Sequence, residues 1–250
     1  EVIRRLPHTD KKIIVTHSGG MDSATAVILC ARKYGADNVI SLGFNYGQKQ
    51  SVELDYADRL CAELGVQRKV LDLSILGDIV KHVSANISGT DIEMPTINDI
   101  LGNPQPPTYV PYRNMIMFSL TAANAASHIV CGLQVHDEYS YWDTTQKFVD
   151  GLNNIYDQNR SWPLTIIAPF ADLSKTEEIS LLEEADAVDL LKHSFTCYDP
   201  ASKVEWVAGK PITHGIACGK CPSCSERIQS FMNKGMEDPI EYAILIPWSN

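Results

Sequence analysis

No stretch of this sequence approaches the roughly 20 consecutive apolar residues that a membrane-crossing helix needs. Its first residues also lack a basic segment followed by an apolar one, so a cytoplasmic protein is expected. There is no low-complexity run and no visible internal repeat, and Gly and Pro are ordinary in number, which argues against intrinsic disorder. Positive charge is the scarce sign: 21 Lys and Arg stand against 31 Asp and Glu, for a formal net charge of -10. A chain of that sign repels a phosphate backbone, which discounts nucleic acid as a direct partner and favours small-molecule substrates. What the chain does have is core material. With 250 residues and 44% hydrophobic composition it can bury one domain plus a small appendage.

The order of elements predicts an α/β fold. Lys11 to Thr16 reads as a short buried strand broken by Ser18-Gly19-Gly20. A helix follows through Tyr34, with Gly35 placed to end it in the left-handed conformation. The pattern repeats with a strand at Val39 to Phe44, a helix at Ser51 to Leu64 stopped by Gly65, and a strand at Arg68 to Leu73. A Pro-, Asn- and Gly-rich segment, Gly89 to Pro107, is long enough to be expected as an active-site lid. Beyond it come a helix from Asn114 to Ser127, a strand at Ile129 to Gly132, a helix from Thr145 to Tyr156 and a strand at Thr165 to Ala168. The expectation is therefore a five-stranded parallel sheet with helices on both faces over residues 1–186. Residues 187–250 are expected to form a small helical zinc-binding subdomain, with helices near Val188 to Leu191 and Cys224 to Asn233.

Ser18-Gly19-Gly20-Met21-Asp22-Ser23 lies directly after the first strand. The glycines let backbone approach an anion, and the next helix aims free N–H groups at the same point. Hydroxyls of Ser18 and Ser23 can add donors, and Asp22 suits the Mg2+ that accompanies ATP. A Walker loop would need a Gly-Lys pair that is absent. The bland alternative is a glycine turn with Asp22 as a helix cap. The hexapeptide resembles the Ser-Gly-Gly-x-Asp-Ser signature of PP-loop ATP pyrophosphatases, which cleave ATP between the α and β phosphates.

The odd count of seven cysteines, four of them clustered near the C-terminus, favours thiols and metal binding in a reducing compartment. Cys197, Cys218, Cys221 and Cys224 suit a closed, structural Zn2+ site with no open position for chemistry. An iron–sulfur cluster and unligated thiols are the alternatives. Cys30, Cys61 and Cys131 sit among apolar neighbours and read as packed core thiols.

Over nearly its whole length the sequence resembles the 7-cyano-7-deazaguanine (preQ0) synthase family. The motifs occur in the family's order: the hexapeptide above; Tyr46-Gly47-Gln48-Lys49 with Glu53; Val110-Pro111-Tyr112-Arg113-Asn114; Gly132; Asp137 with Tyr141 and Asp143; Leu173-Ser174-Lys175; and Thr196-Cys197-Tyr198 leading to the other three cysteines. The resemblance implies the adenine nucleotide α-hydrolase (HUP) fold and a homodimer. It implies 7-carboxy-7-deazaguanine, ATP, magnesium and ammonia as reactants, the ammonia arriving free or from a partner. The carboxylate is adenylated and aminated to the amide, and a second ATP gives the nitrile. It implies catalytic roles for Asp22, Ser23, Arg113 and Lys175; a nucleotide site of Ser18 to Ser23 with Phe44, Tyr46, Gly47, Gln48 and Gly132; and a substrate site of Tyr109, Arg113, Asn114, Asp137, Tyr141, Asp143 and Thr144. Arg113 and Lys175 are also plausible on charge alone, as cations for the carboxylate and for pyrophosphate.

The sequence departs from the family where substrate is expected. Asp-x-Ser-Gly-Tyr-Pro-Asp-Cys-Arg is replaced by Asp137-Glu138-Tyr139-Ser140-Tyr141-Trp142-Asp143-Thr144-Thr145, and Asn45 and Gln50 stand where an acid and a histidine are usual. Neutral side chains have replaced titratable ones. A variant that stops at the amide is therefore carried beside the full synthase, as are a PP-loop tRNA-modifying enzyme and a non-catalytic nucleotide-binding module.

Overall fold

A computed structural model describes residues 2–95, 103, 106–124, 127–134, 141–207 and 210–248. In chain order the elements are α1 (Val2–Arg5), β1 (Ile13–Thr16), α2 (Met21–Tyr34), β2 (Val39–Asn45), α3 (Val52–Leu64), β3 (Gln67–Asp72), α4 (Ser74–Val80), α5 (Arg113–Ala123), β4 (His128–Cys131), α6 (Gln146–Tyr156), β5 (Thr165–Ile167), α7 (Lys175–Glu184), a 3-10 turn (Val188–His193), β6 (Ala201–Val207), β7 (Lys210–Ile216) and α8 (Pro222–Asn233).

The first five strands form one parallel sheet in the order β3-β2-β1-β4-β5. Its central strand, β1, is apolar and buried from Ile13 to Val15 because both faces are covered. Ile13 and Val15 pack with Leu29 of α2, Leu60 of α3 and Leu182 of α7, while Ile14 packs with Leu42, Leu76 and Val80 on the opposite face. A third cluster joins β4 and β5 to α5 and α6 through Phe118, Ile129, Phe148 and Leu152. From β1 the chain runs outward to β3 on one side, then crosses back to start β4 on the other. That reversal opens a crevice at the C-terminal ends of β1 and β4.

Glycines end two helices in different ways. Gly65 takes the left-handed conformation (φ 70°, ψ 20°) after α3, as expected. Gly35 uses a positive φ of 81° but a ψ of 145°, outside the left-handed helical well, because the chain turns at once into a 3-10 segment at Ala36–Asn38.

Helices α1 and α4 and a C-terminal ribbon were not foreseen. Helix α4 is short, and Gly77 lets it approach Tyr46, whose carbonyl oxygen would lie 2.3 Å from a Cβ there. Its exposed Ile75 and Ile79 hide the amphipathic signal. The C-terminal region, expected to be helical, also holds the antiparallel ribbon β6–β7, paired from Ala201↔Ile216 to Val207↔Lys210. Beyond the ribbon, α8 is locked to the body by Arg227, which is fully buried. Its guanidinium donates to both carboxylate oxygens of Asp238 (2.6 and 2.8 Å), to Ser194 Oγ (2.9 Å) and to the Leu191 carbonyl (3.2 Å). Of the segment expected as a lid, residues 96–102, 104 and 105 lie outside the described ones.

Candidate active site

The loop after β1 follows the reversal in strand order, so its backbone faces the crevice. Gly19 takes a φ of +107°, and a Cβ there would lie 1.9 Å from the Glu53 carbonyl oxygen, so only glycine allows α3 to approach. Gly132 has the same constraint from the other side: a Cβ would sit 2.7 Å from Ser23 N in the first turn of α2. Gly20 caps α2 without a side-chain hydrogen bond, which leaves the helix's first N–H groups open to an anion. The Ser18 and Ser23 hydroxyls are 3.2 Å apart, and Ser23 Oγ donates to the Gly20 carbonyl at 3.0 Å.

On one side of the loop, α7 presents Lys175. Ser174 and Glu177 form a reciprocal capping box that fixes the helix start. The Lys175 ammonium is buried and donates to Asp22 Oδ2 (3.1 Å) and Gln134 Oε1 (2.8 Å), with Glu226 Oε2 at 3.2 Å. Burial disfavours its charge, but Asp22, Glu226 and Glu178 outweigh that and hold its pKa above the ordinary lysine value. Asp22 Oδ1 is buried 3.0 Å from the ammonium without taking an aligned hydrogen bond among the described residues.

Across the cavity, α5 begins with Arg113. Its guanidinium donates to the Tyr46 hydroxyl (3.1 Å) and to Asn114 Oδ1 (3.2 Å), and the Asn114 amide in turn donates to the Asp143 carbonyl (3.0 Å). Burial works against the Arg113 charge, yet Tyr46 and Asp143 hold it firmly protonated. Asp143 is itself buried, and its carboxyl is pushed upward by desolvation against the pull of Arg113. Glu53, at the start of α3, is pushed up to about 8 by burial, opposed by Arg113, Gln48 and Arg68.

An aromatic wall closes this end. Tyr109 and Tyr141 stack at 5.8 Å, and the Thr108 and Tyr141 hydroxyls are 2.5 Å apart. Trp142, where the resembled family has proline, packs edge-on against Phe148 at 5.2 Å and donates from Nε1 to the Tyr109 hydroxyl at 2.7 Å. Thr145 caps α6, accepting from Phe148 N, and Thr144 Oγ1 donates to the Tyr141 carbonyl at 2.8 Å. Both threonines are thus engaged with backbone and supply no charge.

The structure brings most of the expected residues to one cavity of about 310 Å³, within the usual range for small-ligand sites. Ser18, Gly20, Asp22, Ser23, Phe44, Tyr46, Gln48, Tyr109, Arg113, Asn114, Gly132, Tyr141, Asp143, Thr144 and Lys175 all line it. Three expected residues do not. Met21 is buried in the core beneath α2, Gly19 acts through its backbone turn, and Gly47 serves as a positive-φ turn at φ 79°. Gln48 reaches the cavity, but its amide is spent on the Tyr46 N–H and the Phe44 carbonyl. Asp137 lies outside the described residues.

Among the lining residues not singled out for the site are Glu53, Gln134, Asn86, Thr108 and Glu226. Glu53 belongs to the motif that begins at Tyr46, whereas no local pattern marks the other four, because separate stretches of the chain carry them to the cavity. Arg68 is another support. Its guanidinium occupies the space left by Gly43 and donates to the His17 carbonyl and Ser41 Oγ, both at 3.0 Å.

The four clustered cysteines also converge. All four Sγ atoms lie within 4.8 Å of one another, and Cys218 and Cys224 are 3.9 Å apart. A tetrahedral ion with Zn–S bonds of about 2.3 Å needs S–S separations of about 3.8 Å, so the set fits such an ion. Backbone N–H groups of Cys218, Cys221 and Cys224 point at neighbouring sulfurs (3.2 to 3.4 Å). Hydrogen bonds from Cys197 and Cys224 hold the Cys221 thiol far below the ordinary cysteine value. None of the four lines the cavity, but Thr196, Tyr198, Ser223 and Glu226 beside them do. Cys30, Cys61 and Cys131 are buried apart from this cluster.

Comparison with known proteins agrees with this arrangement. The model of the family described as queuosine biosynthesis protein QueC matches residues 12–235. A 7-cyano-7-deazaguanine synthase of Alteromonas mediterranea is 32% identical over 241 residues, covering 93% of this chain and 99% of that protein. The 7-cyano-7-deazaguanine synthase of Pseudoalteromonas atlantica is 33% identical over 237 residues, again 93% and 99%. A family model spanning the sheet, the crevice and the cysteine quartet, together with relatives matched over almost their full lengths, establishes that the chain belongs to the QueC family of queuosine biosynthesis proteins.

Proposed function

We propose that the chain is an ATP-dependent carbon–nitrogen ligase that adenylates the carboxylate of 7-carboxy-7-deazaguanine and replaces AMP with ammonia. A second ATP then activates the amide and yields 7-cyano-7-deazaguanine. The observation that carries this reading is one cavity with an uncapped helix N-terminus and Lys175 at one end and half-buried Arg113 with buried Asp143 and Asn114 at the other. The loop N–H groups with the Ser18 and Ser23 hydroxyls would hold the phosphates, and Lys175 would take the departing pyrophosphate. Arg113 would orient the carboxylate for attack on the α-phosphorus, and Asp143 would accept from the N–H edge of a heterocycle lying against the tyrosine wall.

Magnesium arriving with the nucleotide would neutralise phosphate charge, and Asp22 offers it the buried Oδ1 that takes no aligned hydrogen bond. The cysteine quartet would hold Zn2+ as a closed structural site and keep α8, with Ser223 and Glu226, against the cavity.

A second reading is a one-round enzyme that stops at the amide. It is favoured by the backbone-engaged Thr144 and Thr145, and by Gln50, whose buried Oε1 has no partner among the described residues. Mass spectrometry of the product from 7-carboxy-7-deazaguanine, Mg-ATP and ammonium separates the two. Nitrile is the expected product, amide persisting in excess ATP selects the second reading, and absence of AMP and pyrophosphate overturns both.

A further inference from the structure

Formation of a carbon–nitrogen bond from ammonia requires a group that removes a proton from the attacking nitrogen, and the roles given above to Arg113, Lys175 and the phosphate loop include no such group. The carboxylates lining the cavity differ in how they are occupied. Asp22 and Glu226 are held by the Lys175 ammonium. Asp143 faces Arg113 at the far end, its backbone fixed by Asn114. His17 also lines the cavity, with Nδ1 2.9 Å from Ser41 Oγ and a buried Nε2 that takes no hydrogen bond among the described residues, but burial and Arg68 hold its pKa well below the ordinary histidine value, so it keeps an accepted proton poorly.

Glu53 is different. It is only 7% exposed and still lines the cavity. Its backbone carbonyl abuts Gly19 of the phosphate loop, while its carboxyl interacts with Arg113 and Gln48 on the carboxylate side. It therefore lies between the place of the phosphates and the place of the acyl carbon. The groups that face it are Arg113 from α5, Arg68 from β3, and Tyr46 and Gln48 from the turn after β2.

We propose that Glu53 is the proton acceptor for the ammonia that attacks the acyl adenylate, an inference that rests on the adenylation reading above. The nitrogen lone pair forms the bond to the acyl carbon. The acyl C–O bond to AMP breaks with its electron pair leaving on the phosphate oxygen, and the proton lost from nitrogen passes to a Glu53 carboxylate oxygen. A carboxyl that ionises near 8 accepts that proton more readily than an ordinary one, because the proton is better held after transfer.

The test uses the full chain and its Glu53→Gln variant in two assays. The first is carboxylate-dependent exchange of labelled pyrophosphate into ATP, which reads adenylation alone. The second is amide formation with ammonium, beside hydroxamate formation with hydroxylamine, a nucleophile that depends far less on a base. The expected result is exchange within about threefold of wild type, ammonia-dependent amide formation reduced by about 100-fold or more, and hydroxamate formation reduced by less than about tenfold. Undiminished amide formation in Glu53→Gln, or equal loss in all three measurements, overturns the inference alone. Should the variant not fold, the wild-type rate of amide formation at constant free ammonia decides: a rise through about pH 8 supports the role, and a flat profile overturns it. Absence of exchange in the wild-type protein overturns the adenylation reading and this inference with it.

Discussion

At Gly19 the need for glycine is set by a neighbour remote in sequence. A Cβ would meet the Glu53 carbonyl at 1.9 Å, and the φ of +107° is one that side chains rarely adopt. Gly19→Ala is expected to cost about 3 kcal/mol or more and to abolish pyrophosphate release, measured by thermal melting and by an ATP–pyrophosphate assay. Glu53 gives a pH-dependent counterpart. Its carboxyl ionises at 4.5 in the ordinary case and at about 8 here. The folded state thus holds a proton that the unfolded chain loses between these values. The stabilisation from the neutral form is complete below the lower value and is lost as pH rises through the upper one. Glu53→Gln should remove this loss, so the variant should gain on wild type by a few kcal/mol, in order of magnitude, between pH 5 and pH 8 in urea unfolding. Lys175 is the opposite case, since its charge is required. Lys175→Met leaves Asp22, Glu226 and the fully buried Glu178 without their cation, and a loss of about 3–5 kcal/mol is expected in the same measurement. The phosphate-loop residues and Arg113 could be named from the sequence because their motifs are contiguous. Gln134, Asn86 and Glu226 could not, because only folding brings them to the cavity.

Among the elements, β1 and α2 were readable because local signals agree: an apolar run broken by glycines and a glycine stop. Helix α4 and the β6–β7 ribbon were not, for opposite reasons. In α4 apolar residues lie on both faces, so periodicity fails. The ribbon sits between Cys197 and Cys218, where metal-ligand spacing dominates the reading and Gly215 packs on the Phe195 ring. Helix α8 is placed by a pairing 11 residues apart, Arg227 with Asp238, both with side chains of zero exposure. Arg227→Met strands the Asp238 carboxylate, and about 3–5 kcal/mol of destabilisation should follow in urea unfolding. Replacing both partners by apolar residues should recover much of that loss, because no unpaired charge then remains.

For the whole molecule, the cysteine quartet and the phosphate loop are physically joined although no clustered thiol touches the cavity. Phe195, two residues before Cys197, donates its N–H to the Gly19 carbonyl at 2.8 Å, and α8, which starts within the quartet, brings Glu226 to Lys175. A strong chelator, or Cys218→Ser, is therefore expected to lower the melting temperature and to abolish ATP-dependent turnover together, with zinc restoring both after chelation. Turnover that survives metal removal would show the two regions to be independent. The sequence by itself determined the strand and helix order of the sheet, the anion-binding loop, the quartet of thiols and the family, since each is carried by contiguous residues or short spacings that act through local backbone geometry. Only the tertiary structure decided that Lys175 meets Asp22 and Glu226, that Glu53 stands between loop and Arg113, and that Met21 and Gly47 stay out of the cavity. Those outcomes depend on the parallel crossovers that carry α3 and α5, and on the chain after β5 that brings back α7 and α8, to the same cavity, a long-range arrangement that no local pattern encodes.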